Sequence, residues 1–203
     1  MIKIIDYGLG NIRAFQNVYK RLNIEVSVAR NADELATASK VVLPGVGAFD
    51  HAMELLNQSG MRKALDTLIL TKGVPVLGVC VGMQILARSS DEGQAPGLGW
   101  IEGHVRGFKS LRQDQLVIPH MGWNDVQPKS STKLFDQLES KACFYFLHSY
   151  YFQCDRKEDI AAVTRYGTEF SCAVNAGNIY GVQFHPEKSH HFGAQLLKNF
   201  ADL

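Results

Sequence analysis

The run Val76-Leu77-Gly78-Val79-Cys80-Val81-Gly82-Met83-Gln84 constrains this chain more than any other segment. The apolar stretch 74–79 reads as a short buried strand. It ends in Gly-x-Cys-x-Gly and continues into a segment of helical character. That is the sequence form of a nucleophile elbow, a tight strand-to-helix turn whose flanking glycines leave room for strained backbone and for an approaching substrate. A thiol there lies near the positive end of a helix, which favours the reactive thiolate. The plain alternative is a small buried cysteine on a glycine-rich turn.

A second run shifts the balance. In Gly181-Val182-Gln183-Phe184-His185-Pro186-Glu187, strand-like alternation leads into His-Pro-Glu. Pro186 biases His185 toward extended backbone, and in extended geometry His185 and Glu187 point the same way. A carboxylate beside an imidazole sets its tautomer and stabilises imidazolium, the task of the third member of a catalytic triad. Cysteine, histidine and carboxylate thus follow in order, each at the end of an element.

The first half alternates strand and helix signals. Strands are expected at 2–6, 25–29, 40–43 and 74–79. A helix capped by Asn11 carries Phe15, Val18, Tyr19 and Leu22 on one face. Asn31 with Glu34 resembles a capping box. Helices follow at 50–57 and 60–71, the second closed by Lys72-Gly73. Strands alternating with helices imply a mostly parallel sheet with helices on both faces. After residue 89 short strands are expected at 101–107, 115–118, 143–147, 160–165, 170–174 and 178–184, then a helix from about His190 with Phe192, Leu196 and Phe200 on one face. The expected fold is α/β in three layers, with a smaller antiparallel layer added, in a single domain spanning 1–203.

Composition excludes several classes. A net charge of +1 without a basic stripe gives no case for nucleic acid. No apolar run approaches a membrane span, and the N-terminus meets Asp6 too early for a leader. Cytoplasmic location follows as an expectation. Cys80, Cys143, Cys154 and Cys172 form no zinc spacing and are expected to be reduced, with no metal or cofactor. Cys143 and Cys172 read as core, Cys154 as a loop or edge residue.

Open α/β sheets place their sites beyond the carboxyl ends of strands. There Pro44-Gly45-Val46-Gly47-Ala48-Phe49 offers backbone N–H groups that, with the N–H of Val81, can form an oxyanion hole; an ordinary Pro-Gly turn is the alternative. Asp6-Tyr7-Gly8-Leu9-Gly10-Asn11 lacks the third glycine of a dinucleotide loop and is read as lining the site or meeting a partner. His148 is the rival base but has no carboxylate two residues away. His190 and His191 read as surface. Pro119-His120-Met121-Gly122-Trp123-Asn124 is either a local core plug or an interface anchor.

These motifs resemble those of class I, triad-type glutamine amidotransferases. Within that group the loops at 44–49 and 119–124, His148-Ser149-Tyr150 and Leu196-Leu197-Lys198-Asn199-Phe200 are similar to glutaminase subunits of imidazole glycerol phosphate synthases, across essentially the whole chain. The resemblance implies hydrolysis of L-glutamine and delivery of ammonia to a separate (β/α)8 cyclase subunit in a heterodimer. The cyclase joins ammonia to a phosphoribulosyl-formimino aminoimidazole nucleotide in histidine biosynthesis. By position, the resemblance makes Cys80 the nucleophile, His185 the acid/base and Glu187 its orienter. It assigns Val46 and Val81 to the oxyanion hole, and Gly47, Gln84, Ser149 and Tyr150 to the glutamine pocket. Asn11, Met121 and Trp123 would face the cyclase. Three alternatives stay open: a paralogous glutaminase serving another pathway, such as amidination of surface sugars; a stand-alone cysteine hydrolase of the same fold; and a non-catalytic binding subunit.

Overall fold

The computed structural model describes residues 1–111, 116–129, 132–138 and 142–203. Strands and helices alternate through the first half: β1 (Ile2–Ile5), α1 (Ile12–Arg21), β2 (Val26–Ala29), β3 (Lys40–Gly45), α2 (Phe49–Gln58), α3 (Arg62–Asp66), β4 (Val76–Cys80) and α4 (Val81–Gln84). The second half is rich in strands: β5 (Ser89–Ser90), β6 (Gly103–Gly107), β7 (His120–Asp125), β8 (Gln127–Pro128), β9 (Cys143–His148), β10 (Tyr150–Cys154), β11 (Ile160–Tyr166), β12 (Thr168–Ala176) and β13 (Ile179–Val182), closed by α5 (His190–Asp202).

Among the described residues, eleven strands form one sheet in the order β2-β1-β3-β4-β13-β12-β10-β6-β5, with β11 and β8 joined to it through β12. From β2 to β13 neighbouring strands run parallel. From β13 through β12 and β10 to β6 the pairings are antiparallel, β5 pairs parallel with β6 at the edge, and β7 with β9 makes a separate antiparallel ribbon. The expected mixed α/β fold is present. Its antiparallel strands mostly extend the main sheet, and among the described residues only the ribbon stands apart. The step from β1 to β2 runs one way along the sheet and the step from β3 to β4 the other, so right-handed crossovers put α1 on one face and α2 with α3 on the opposite face. Strands β1 and β4 are buried along their whole length, which is why they read as unbroken apolar runs.

Local chemistry explains the boundaries. The Asn11 side chain accepts the Ala14 N–H at 3.2 Å and starts α1, which buries Phe15, Val18 and Tyr19. Asn31 accepts the Glu34 N–H at 3.0 Å, and the Glu34 carboxylate returns to the Arg30 N–H at 2.8 Å, a capping box displaced by one residue over a single 3-10 turn. Gly73 ends the second helical stretch with a φ of 67°, after α3 has widened through Thr67–Thr71.

Several expectations are corrected. The strand expected at 115–118 is not seen at 116–118, and 115 lies outside the described residues. Pro119 has no N–H for a ladder, and pairing begins at His120. The 119–124 stretch is therefore mostly strand rather than loop. Cys143 is half-buried rather than core, because it opens β9 in the two-stranded ribbon; Cys172 is fully buried. Cys154 ends β10, and the helix after Cys80 is a single turn.

Candidate active site

β4 delivers Cys80 at its carboxyl end with φ 57° and ψ −115°, a conformation rare for any residue with a side chain. The surrounding glycines make the turn possible. A Cβ on Gly78 would sit 2.5 Å from the Gly82 carbonyl oxygen. A Cβ on Gly82 would collide with the Leu43 carbonyl oxygen of β3, and one on Gly45 would lie 2.5 Å from the Gly82 nitrogen. The two glycines of Gly-x-Cys-x-Gly are thus set by backbone packed on backbone, with β3 and β4 in register as far as Gly45 opposite Cys80.

β13 lies beside β4, pairing Val182 with Val79, so His185 emerges at the same sheet edge as Cys80. The chain leaves the strand after Val182. Glu187 therefore meets His185 through a 3-10 turn over Pro186–Lys188 rather than along an extended strand. Glu187 Oε1 lies 2.8 Å from His185 Nδ1, and both side chains are almost wholly buried. Ser189 holds the turn: its hydroxyl accepts the Tyr145 N–H at 3.0 Å and donates to the His185 carbonyl at 2.6 Å. Burial alone would push the His185 imidazole down. Hydrogen bonds to Cys80 and Glu187, reinforced by their charges, outweigh burial and raise it to about 10. The site therefore favours imidazolium at neutral pH. Oε2 of Glu187 has no hydrogen-bond partner among the described residues.

A cavity of about 290 Å³ opens over Cys80 and His185. Val46, Gly47, Val81, Gln84, Ser149 and Tyr150, all expected from the sequence, line it as well. Glu187 stands behind His185 instead. The Asp6–Asn11 loop is not among the lining residues, although reading the sequence left that possible. Gly47 has φ 92° and open space where a Cβ would be, so its backbone conformation alone calls for glycine.

Other residues emerge only from the structure. Gln84 Nε2 donates to the Tyr150 carbonyl at 3.2 Å and to Gln183 Oε1 at 3.0 Å, and Gln183 Nε2 lies 3.9 Å from Cys80 Sγ. Gln183 is fully buried; a polar residue inside an apolar strand-like run was its sequence signal. Glu92 lines the cavity, one carboxylate oxygen held by the Phe49 N–H at 2.8 Å. Burial raises its pKa, partly opposed by that hydrogen bond, and the neighbouring Asp50 adds to the rise. Nothing in its loop sequence marked it.

His148 is excluded as the base. It lines the cavity, but Nδ1 lies 2.7 Å from the Tyr150 carbonyl and Nε2 lies 2.9 Å from His120. Both nitrogens are occupied. Burial pushes the ring down to about 3.

The ribbon β7–β9 shows two faces. Met121, Trp123 and Leu147 are exposed on one, at 61%, 49% and 36%, while His120, Phe146 and His148 are buried on the other. Leu147 also lines the cavity, so the apolar patch reaches its mouth. Trp123 stacks on His190 with centroids 5.1 Å apart and planes 4° from parallel. His190 and His191 are exposed, as expected. Asn11 is exposed, its side-chain oxygen engaged in capping α1.

The family model described as glutamine amidotransferase class-I matches residues 3–203. This chain belongs to that family. The amidotransferase is 62% identical over 204 residues to the imidazole glycerol phosphate synthase subunit HisH of Bdellovibrio bacteriovorus, covering all of both chains. It is 52% identical to the HisH subunit of Leptospira borgpetersenii, again over the full length of both. To HisH 2 of Pseudomonas aeruginosa it is 43% identical over the same full coverage. Among solved structures, a glutamine amidotransferase matches with a TM-score of 0.77 at 19% identity, over 99% of this chain and 97% of that one. PurLQS from Thermotoga maritima matches with a TM-score of 0.75 at 15% identity, with the same coverage. At those identities the structural likeness speaks for the fold.

Proposed function

We propose that the chain is the glutaminase subunit of an imidazole glycerol phosphate synthase, hydrolysing L-glutamine and passing ammonia to a (β/α)8 cyclase subunit within a heterodimer. The observation that carries this reading is the strained Cys80 turn set against a Glu187-held His185 at the floor of a glutamine-sized cavity. Full-length identity to HisH subunits supports the pathway and the kind of partner.

The chemistry follows from the residues. The Cys80 thiolate attacks the side-chain amide carbon of glutamine. The N–H groups of Val46 and Val81 receive the oxyanion, and such a donor contributes about 3–4 kcal/mol to the transition state. Imidazolium at His185 gives its proton to the departing nitrogen, and ammonia leaves a thioester. Neutral His185 then takes a proton from water, hydroxide attacks the thioester, and the thiolate returns with glutamate released. Gly47, Gln84, Ser149 and Tyr150 hold the substrate, with Glu92 facing its ammonium group. Met121, Trp123 and Asn11 meet the cyclase, so the partner covers the cavity mouth and keeps ammonia from water. The chain works in the cytoplasm, and no helix among the described residues is long and apolar enough to cross a membrane.

The test is glutamate release by the chain alone and with the cyclase subunit plus its nucleotide, beside a Cys80→Ala variant. Stimulation that disappears in Cys80→Ala supports the reading. Activity persisting in Cys80→Ala refutes the nucleophile. Full activity of the isolated chain on glutamyl peptides points to a stand-alone hydrolase. No stimulation, with Cys80 still alkylated by a diazo-ketone analogue of glutamine, points to a synthase of another pathway.

A further inference from the structure

His120 and His148 are directly paired across β7 and β9, and the donor–acceptor order between them has one solution. The Tyr150 carbonyl can only accept, so His148 carries its hydrogen on Nδ1. Its Nε2 is then an acceptor, and His120 Nδ1 must donate to it across 2.9 Å. His120 Nε2 is left to accept from Asn124 Nδ2 at 3.2 Å, whose other hydrogen goes to the Arg165 carbonyl at 3.0 Å. Asn124 Oδ1 is occupied by the Asp125 N–H at 2.9 Å. Protonating either ring would set two N–H groups against each other or strand one of them.

The surroundings enforce neutrality. His120 stacks on Phe146 at 4.7 Å and on Tyr166 at 4.1 Å, and His148 packs against Phe108, Phe146 and Phe170. Burial pushes His120 down to about 4, and His148 lower still. After burial, the hydrogen bond to the Tyr150 carbonyl pulls His148 up, and His120 followed by His185 pushes it down, since each would set a second positive charge beside it.

The chain ends on functional ground at both sides. The Tyr150 carbonyl that His148 engages also receives Gln84 Nε2, from the turn that begins at Cys80. At the other end, His120 and Asn124 alternate along β7 with the exposed Met121 and Trp123. We propose that His120 and His148 are a positioning pair that holds the Ser149–Tyr150 wall of the cavity in register with the exposed strand β7. The proposal rests on the glutaminase reading, in which that wall binds substrate and that strand meets the cyclase. A load on Met121 or Trp123 reaches the wall through two rings with fixed proton order. Neither ring exchanges a proton with substrate.

Two variants separate hydrogen bonding from packing. His120→Phe keeps the stack on Phe146 and Tyr166 but removes the donor to His148. His120→Asn loses the ring but retains an N–H where Nδ1 stands. With the cyclase subunit and its nucleotide present, His120→Phe is expected to raise the KM for glutamine on the order of tenfold, the worth of one buried hydrogen bond, with kcat little changed. His120→Asn is expected to recover most of that loss despite its poorer packing. Nitrogen-15 spectra of histidine-labelled wild-type chain are expected to show both rings neutral with the hydrogen on Nδ1, without titration between about pH 5 and about pH 8. A wild-type KM in His120→Phe, an Asn variant no better than Phe, or a His148 ring protonated on Nε2 would overturn the pair. Alkylation of Cys80 by the diazo-ketone analogue separates the two levels. Alkylation with an unaffected KM defeats the pair alone, whereas neither alkylation nor glutamate release in the parent chain defeats the glutaminase reading and the pair with it.

Discussion

Replacing Glu187 with Gln tests the electrostatics of the site most directly. The substitution keeps the size of a nearly buried side chain and leaves an amide oxygen able to accept His185 Nδ1–H where Oε1 now lies at 2.8 Å. What disappears is the charge. A buried hydrogen bond to a charged group is worth about 1.5–3 kcal/mol and a neutral one about 0.5–1.5, so stabilisation of imidazolium falls by about 1–2 kcal/mol. That corresponds to a drop in kcat of roughly 5- to 30-fold. The slot of Oε2, without a partner among the described residues, would receive an amide NH2 with nothing to accept its hydrogens, at a cost of about 1–3 kcal/mol in folding stability. The pH profile gives the sign. His185 stands at about 10 because Cys80 and Glu187 outweigh burial. With Glu187 neutral, burial is opposed by Cys80 alone, the imidazole pKa falls, and imidazolium is lost at lower pH. In the proposed mechanism protonation of departing ammonia needs imidazolium, so the alkaline limb of kcat is expected to move to lower pH. Glutamate release at saturating glutamine with the cyclase subunit present, followed from neutral pH up through the limb, reads both effects. An unchanged kcat with an unmoved alkaline limb would refute the reasoning.

Gly82→Ala is expected to cost about 1–3 kcal/mol or more, because its Cβ meets the Leu43 carbonyl in rigid backbone; thermal unfolding beside Gly47→Ala, where only the positive φ is strained at about 1–2 kcal/mol, measures the contrast. Gln183→Leu leaves one hydrogen of Gln84 Nε2 without its acceptor inside the core, and glutamate assays are expected to show kcat/KM down roughly tenfold; an unchanged value would mean that Gln84 is held by Tyr150 alone. Trp123→Ala removes a half-exposed aromatic from the proposed docking face, and calorimetric titration with the cyclase is expected to lose about 2 kcal/mol or more; unaltered affinity would move the interface elsewhere.

The Cys80 turn and the His185–Glu187 pair of the candidate site were legible because each is local in sequence. Gly78, Cys80 and Gly82 fall within five residues, and the clashes that demand the glycines come from one sharp turn against β3. His185 and Glu187 stand two apart for the same reason. Gln183 and Glu92 were missed: Glu92 carried no signal in its loop, and the polar Gln183 inside an apolar run did not reveal its partner, since each is held through a residue far along the chain, Gln84 and Phe49. The parallel half of the sheet could be read from its apolar runs, whereas β7 and β10 were missed: β7 mixes histidine, glycine and tryptophan on two unlike faces. Cys143 misled because an apolar neighbourhood in sequence marks a strand without saying how many layers cover it. Two histidines that looked like a rival base and part of a loop proved to be partners across a ribbon, a relation that only the register of β7 with β9 reveals.

The last strand in sequence, β13, lies inside the sheet, with β4 on one side and β12 on the other. During synthesis the sheet therefore carries a gap at its centre until β13 emerges. β4 offers an open, wholly apolar edge for most of that time, the kind of surface on which chains aggregate. The same order keeps the nascent protein chemically silent. In the proposed reading, Cys80 stays without His185 and Glu187 until β13 closes the gap, so hydrolysis of glutamine waits for the sheet to be complete.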